Sequence, residues 1–283
     1  MTATAPTAVS TAVDRSSGGW RAVLAYWMAV YKRVWKGTII SSFLAPLAYL
    51  AGMGIGLGSL IDAGGRTAVE GVSYLAFVAT GLLAAQAMQT GVGETTFPVM
   101  GAIKWHHTYE AMLATPLRVQ DLVRGHVVYV SIRLAITTGV FAVVALALGA
   151  MSGWGVLGAV ALAILGGLAF AMPVYLYSCR VRSEQGYNVL SRFIIMPLFL
   201  FSGTFFPISQ LPGWLQLLGW ISPLTHAGAL TRAAALGPAS PFALSLGDYL
   251  LHIGYLLLWA VAGYLLGVRA LRSRMGRDGD HDA

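Results

Sequence analysis

Six stretches of this sequence are long, apolar and nearly free of charge: Thr38–Leu60, Val72–Val92, His126–Ala150, Trp154–Ser178, Asn188–Phe206 and Tyr249–Val268. Each is close to the ~20 residues a helix needs to cross the hydrocarbon core of a bilayer. Recurrence of such runs leaves few folds open, because every backbone N–H and C=O inside hydrocarbon must be paired within the protein. Continuous helices meet that demand run by run. Composition agrees: 57% of the 283 residues are hydrophobic and 10% are charged, against about 25% charged in soluble domains. Too little polar side chain is present to cover a water-facing surface. The expected fold is an all-α membrane protein with six transmembrane helices.

An even number of spans returns both termini to one side, and basic residues decide which. Fourteen of the 18 lysines and arginines fall on one face, in the N-terminal region, the segment Lys104–Gly125, the loop with Arg180 and Arg182, and the C-terminal tail. The positive face is the cytoplasmic one, so both termini are expected inside. The net charge of +7 then reflects asymmetry across the membrane rather than nucleic-acid binding. Residues 1–19 read as a disordered tail without a cleavable signal peptide, 20–272 as the transmembrane domain and 273–283 as a cytoplasmic tail. The single cysteine, Cys179, excludes an internal disulfide.

Ahead of the first span, Trp20, Val23, Leu24, Trp27, Val30, Tyr31, Val34 and Trp35 line one helical stripe, with Arg21, Lys32, Arg33 and Lys36 off it. An aromatic stripe beside basic residues predicts a helix lying in the membrane interface. The competing reading is a stripe packed on another protein helix.

The polar island Lys104–Gly125 separates two spans. Trp105, Tyr109, Met112 and Leu113 fall at spacings that share a helical face, while His106, His107 and Glu110 point elsewhere. Thr115-Pro116 reads as a stop followed by a new start, with Thr115 as N-cap and Pro116 at the first helical position. A helical knob of this size on the cytoplasmic side suits docking of a soluble partner.

Within the spans, Gly52, Gly54, Gly56 and Gly58 form two overlapping GxxxG pairs, a pattern that lets helices approach closely. Gln86, Gln89, Glu94, Arg133 and Arg192 are polar residues at or inside spans. Glu94 and Arg133 lie near the cytoplasmic ends and are expected to snorkel or pair there. On the outer side, Phe201–Arg232 is apolar but broken by Pro207, Pro212 and Pro223. Ser209–Ile221 and Pro223–Ala235 each suit a short re-entrant helix, too short to span. Such a pair would lie over the outer end of a central pathway.

Several chemistries lack their residues. There is no GxxxxGK[ST] phosphate loop, no HExxH and no CxxC, so no metal site and no nucleotide site is expected in this chain. Ser202 and His226 form the one pair suggestive of an intramembrane serine protease, but Leu200 occupies the position of that motif's first glycine.

Four segments resemble, in order and spacing, the membrane subunits of type-2 ABC exporters, notably those of nodulation lipo-oligosaccharide and daunorubicin-type drug exporters. They are SSFLAPLAYLAGMGIGLGSLID (Ser41–Asp62), YLAFVATGLLAAQAM (Tyr74–Met88), TYEAMLATPLRVQDLVRGH (Thr108–His126) and FLFSGTFFPISQLPGWLQLLGWISPLTH (Phe199–His226). The resemblance implies that the island is a coupling helix. His107, Tyr109, Glu110, Met112, Leu113 and Pro116 would then meet a separate ATPase subunit, present in two copies, that holds ATP and Mg2+. It implies an interface helix carrying Trp27, Tyr31 and Arg33, close packing at Gly52, Gly54, Gly56 and Gly58, and an external gate at Phe206, Pro207, Pro212, Trp214 and Pro223. It further implies a homodimer in the bacterial plasma membrane, in contact with membrane lipid, that exports an amphipathic lipid-linked saccharide, lipid or drug. A membrane scaffold that recruits a cytoplasmic partner through the same island is the alternative.

Overall fold

The computed structural model describes residues 18–57, 71–181 and 183–278. The described chain is helical, as its apolar runs require: α1 (Gly19–Tyr49), α2 (Tyr74–Thr95), α3 (Phe97–Met100), α4 (Thr108–Leu113), α5 (Val119–Ala147), α6 (Gly155–Arg180), α7 (Glu184–Leu190), α8 (Met196–Phe201), α9 (Gly213–Ile221), α10 (Pro223–Leu236) and α11 (Leu246–Asp278). Among the described residues, four helices are long and apolar enough to cross a membrane: Tyr74–Trp105, Val119–Ala147, Gly155–Arg180 and Leu246–Gly276. These match the second, third, fourth and sixth expected spans, with longer boundaries. The second runs on through α3 and a π-helical turn, Gly101–Trp105. The last extends to Asp278, so helix continues well into the expected C-terminal tail.

The other two expected spans take different forms. The first is not set off from the amphipathic segment before it. Helix α1 runs without a break from Gly19 and continues as π-helix through Leu57. The end of the expected span, with Gly58, lies outside the described residues, as does the tail 1–17. The fifth is split into α7 and α8 by a π-helical turn, Ser191–Ile195. The helix that carries it starts at Glu184 and includes Arg192 and Pro197, so it is less apolar than the four.

Helix α6 is the hub, touching α2, α5, α10 and α11. Small residues make this possible. A Cβ on Gly91 would lie 2.5 Å from the Gly167 carbonyl oxygen, and one on Gly167 would meet Leu134 and Ala87. The α2–α6 crossing is therefore backbone on backbone, a close approach that adds dispersion contacts where lipid offers no hydrophobic drive. The glycines singled out from sequence lie elsewhere: among the described residues nothing comes within 4 Å of a Cβ on Gly52, and the Ala51 carbonyl lies 3.6 Å from one on Gly56.

The α2–α6 crossing yields a test. Gly91→Ala should destabilise the protein by about 1–3 kcal/mol through overpacking. Gly93→Ala, two residues on with nothing within 4 Å of its Cβ, should be neutral or stabilising, because alanine favours helix. Thermal unfolding in detergent, followed by circular dichroism, compares the two.

Candidate functional site

At the end of the bundle that carries the basic island, three helices bring their polar residues to one point. Arg133 on α5 is 1% exposed, and its Nε donates to Glu94 Oε1 on α2 at 2.7 Å. The Tyr129 hydroxyl, one turn back on α5, donates to the other carboxylate oxygen at 3.0 Å. His126 Nε2 donates to the Glu94 carbonyl at 3.1 Å. Helix α1 closes the cluster: the Tyr31 ring lies 4.2 Å from the Arg133 guanidinium carbon, and Trp27 stacks on Tyr129 and meets His126 edge-on. Glu94 and Arg133 thus pair with each other, one of the two outcomes expected from their position. A buried ion pair is tolerated only when such added contacts complete it.

The amphipathic segment takes part in this geometry. Val23, Trp27 and Tyr31 are buried, and their partner is α5, so this part of the stripe packs on a helix of the same chain, whereas Val34 and Trp35 of the stripe are exposed. Gly125 permits it, since a Cβ there would sit 2.6 Å from Val23 and 2.7 Å from the Trp20 carbonyl. Arg33, off the stripe, is exposed.

The island hangs from this cluster. His107 adopts a left-handed conformation (φ 48°) and ends the helix that carries Trp105, so Trp105 and Tyr109 do not share one helix. In α4, Tyr109 turns inward and is fully buried beside the Tyr175 hydroxyl of α6. Burial pushes its phenol well above the usual range. Tyr109 therefore anchors the knob from within and offers no surface to a partner. Met112 and Leu113 are half-buried and pack against the core. What the knob presents is His107, Glu110 and Pro116, all exposed, with Glu110 Oε2 2.9 Å from His107 Nδ1. The break after α4 also differs from expectation. The Thr115 hydroxyl donates back to the Met112 carbonyl at 2.6 Å, closing α4. Helix α5 starts only at Val119, where Asp121 Oδ2 accepts from the Arg118 amide at 3.0 Å.

On the other side of the bundle, the three prolines stand at element boundaries, as their chemistry predicts. Pro207 precedes the turn Ile208–Gln210, Pro212 precedes α9, and Pro223 opens α10 with Ser222 as its N-cap. Helix α9 leaves Trp214, Leu217 and Ile221 exposed, whereas α10 is buried against α6, α2 and α11. Phe206 is half-buried, Pro207 and Pro223 are buried, and Pro212 is exposed. Arg232, unremarked in sequence, holds this region: it donates to the Gly203 and Thr204 carbonyls and lies 3.9 Å over the Phe77 ring. His226 donates from Nε2 to the Trp220 carbonyl at 2.9 Å, which leaves its Nδ1 to accept from His252 Nδ1 at 2.6 Å. Burial holds its imidazole below the usual histidine range. The Ser202 hydroxyl is occupied by Thr204 and the Phe199 carbonyl, so Ser202 and His226 do not form the dyad a serine protease needs.

Residues 19–236 match a protein family described as ABC-2 type transporter. The chain belongs to the ABC-2 type transporter family. Relatives span nearly its full length. Nodulation protein J of Rhizobium meliloti (strain 1021) is 33% identical over 266 residues, covering 92% of this chain and 95% of the relative. Nodulation protein J of Rhizobium leguminosarum bv. trifolii is 34% identical over 258 residues, covering 89% and 94%. As an ABC-2 protein it is an integral membrane transport component rather than an enzyme, in keeping with its four long apolar helices.

The polar cluster should be costly to break. Glu94→Ala leaves the Arg133 guanidinium buried without its counter-ion, and about 3 kcal/mol of stability should be lost. Equilibrium unfolding in detergent measures it. A loss below ~1 kcal/mol would mean that water reaches Arg133.

Proposed function

We propose that this chain is the membrane-spanning subunit of an ATP-driven exporter, working as a homodimer with two separate ATPase subunits that bind ATP and Mg2+. The observation that carries the reading is the knob formed by α4. It is a short helix fixed from inside by Tyr109, with His107, Glu110 and Pro116 turned outward. A rigid, exposed element at the basic end of a membrane bundle is what coupling to a soluble motor requires, because force is passed only through a contact that does not yield. The family match and the Nodulation protein J relatives support the same assignment.

In this reading six segments span the bacterial plasma membrane with both termini inside. The split helix α7–α8 is the fifth span, and α1 with its π-helical end supplies the first. ATP-driven closure of the two ATPases moves the knobs. Because Tyr109 ties α4 to α6, and Gly125 seats α1 on α5, that movement tilts the bundle instead of bending the loop. Helices α9 and α10 close the outer end. The apolar surfaces suit an amphipathic cargo, a lipid-linked saccharide, a lipid or a drug, taken from the cytoplasm or inner leaflet. Gly52, which is exposed and has no described residue within 4 Å of a Cβ, is assigned to contact with the second copy.

The test is co-purification with the ATPase encoded beside this chain. Glu110→Lys should weaken the association about tenfold or more, the scale of one charge-assisted hydrogen bond, and ATP hydrolysis should lose its dependence on the membrane subunit. If no ATPase associates, or the reversal changes nothing, a scaffold role takes precedence.

A further inference from the structure

Halfway along the bundle, one polar side chain is turned out of it. Gln89 on α2 is exposed, although Phe77 through Met88 before it and Thr90 and Gly91 after it are buried. Its depth is set by α6. A Cβ on Gly167 would lie 2.9 Å from the Ala87 carbonyl oxygen, and one on Gly91 would lie 2.5 Å from the Gly167 carbonyl oxygen. Gln89, between Ala87 and Gly91, is therefore level with Gly167. From Gly167 the helix runs back to Gly155 and on to Arg180, about 18 Å and 20 Å at 1.5 Å per residue. The Thr95 carbonyl, beside Glu94, accepts from Ser178 near the end of α6, so the Glu94–Arg133 pair lies closer to the island. A hydrocarbon core is about 30 Å thick, and a glutamine at its middle is too short to reach either interface.

A carboxamide carries two donors and an oxygen with two lone pairs, and leaving them unbonded in hydrocarbon is costly. The other polar side chains at this level are provided for within the chain. Gln86 donates to the Thr90 hydroxyl at 3.5 Å, and the Thr90 and Thr137 hydroxyls meet at 3.2 Å. Gln89 has no hydrogen-bond partner among the described residues. Lipid tails offer it none, and a cargo offers one only in passage. The second copy of the chain is present throughout. In a homodimer with its axis along the membrane normal, each residue meets its own depth in the partner. Like charges would repel there, but a carboxamide is self-complementary: its N–H donates to the other oxygen while its own oxygen accepts. Gly93, one turn on along the same face, is exposed too, and nothing described lies within 4 Å of a Cβ there. Bare backbone at that point lets the partner's helix come close.

We infer that the Gln89 side chains of two copies hydrogen-bond to each other, and that the face of α2 carrying Gln89 and Gly93 is the mid-membrane contact of the homodimer. The inference rests on the homodimer of the exporter reading and names its contact.

The test uses the full chain in phosphatidylcholine proteoliposomes. Copies labelled at the amino terminus with donor or acceptor dye are mixed and then diluted with lipid, and energy transfer reports the dimer. Losing two reciprocal hydrogen bonds should make Gln89→Leu dissociate about tenfold more readily than wild type, with Gln89→Asn between them. Thermal unfolding of Gln89→Leu should match wild type in detergent dilute enough for light scattering to show single copies, because Gln89 has no partner in its own chain. In a Cys179→Ser background, Gln89→Cys should cross-link to itself on oxidation, and Leu258→Cys, at an exposed position of α11, should not. An equally tight dimer in Gln89→Leu overturns the inference and leaves Gln89 to the cargo. Equal cross-linking at positions 89 and 258 contradicts it as well, and so does less stable folding of the single Gln89→Leu copy, which would place the role of Gln89 within the chain. Wild type that stays single at every dilution sinks the homodimer of the exporter reading itself, whereas a wild-type dimer indifferent to Gln89 sinks this inference alone.

Discussion

A carboxylate and a guanidinium cannot both be left unpaired at the edge of hydrocarbon, and the Glu94–Arg133 contact of 2.7 Å is the chain's answer. Desolvating each ion costs several kcal/mol, so the pair holds only where further groups complete it. Here those groups come from separate elements: Tyr129 and His126 from α5, the Tyr31 ring from α1. The requirement fixes the relative positions of α1, α2 and α5 at the end of the bundle next to the island. Apolar packing alone would let helices slide past one another in lipid, which has no preference among apolar surfaces.

From that fixed point the rest follows in order. Helix α1 lies against α5 because Gly125 leaves room for Val23. The connection from α2 to α5 must then turn sharply within a few residues, and the left-handed His107 provides the turn. Helix α4 is too short to be stable alone, so it borrows stability by burying Tyr109. The same burial turns Glu110 and His107 outward. Stability and exposure on this knob are two consequences of one arrangement, and a partner that pulls on it pulls on that whole end of the bundle.

Much of this was legible in the residues. Apolar runs longer than a bilayer's thickness have one helical solution, so α2, α5, α6 and α11 could be read directly. Prolines lack an amide hydrogen and hold φ fixed, so Pro207, Pro212 and Pro223 marked the outer breaks. The positions of Glu94 and Arg133 in the sequence left snorkelling or pairing open, and the two pair. What escaped has a common physical cause: it depends on a partner distant in sequence. The aromatic stripe of α1 fits lipid or protein equally well until Gly125 is known to lie opposite. The face of a six-residue helix cannot be fixed by periodicity, so nothing in the pattern opposed the contact role that the resemblance implied for Tyr109. Thr115 and Asp121 can each cap a helix, and tertiary packing chose Asp121. Close approach by glycine needs small residues on both helices, and Gly91 found them in Gly167.

The claim on which the account stands is that the outward face of α4 meets the ATPase while its inward face does not. Cysteine cross-linking tests it directly, with a cysteine at exposed Ala111, in a Cys179→Ser background, and another at Leu250, near the opposite end of the bundle, as control. The account predicts a cross-link from position 111 to the co-purified ATPase that changes in yield when ATP is bound, and none from position 250. Equal yields from both positions, or none from 111 while the complex remains intact, would contradict it.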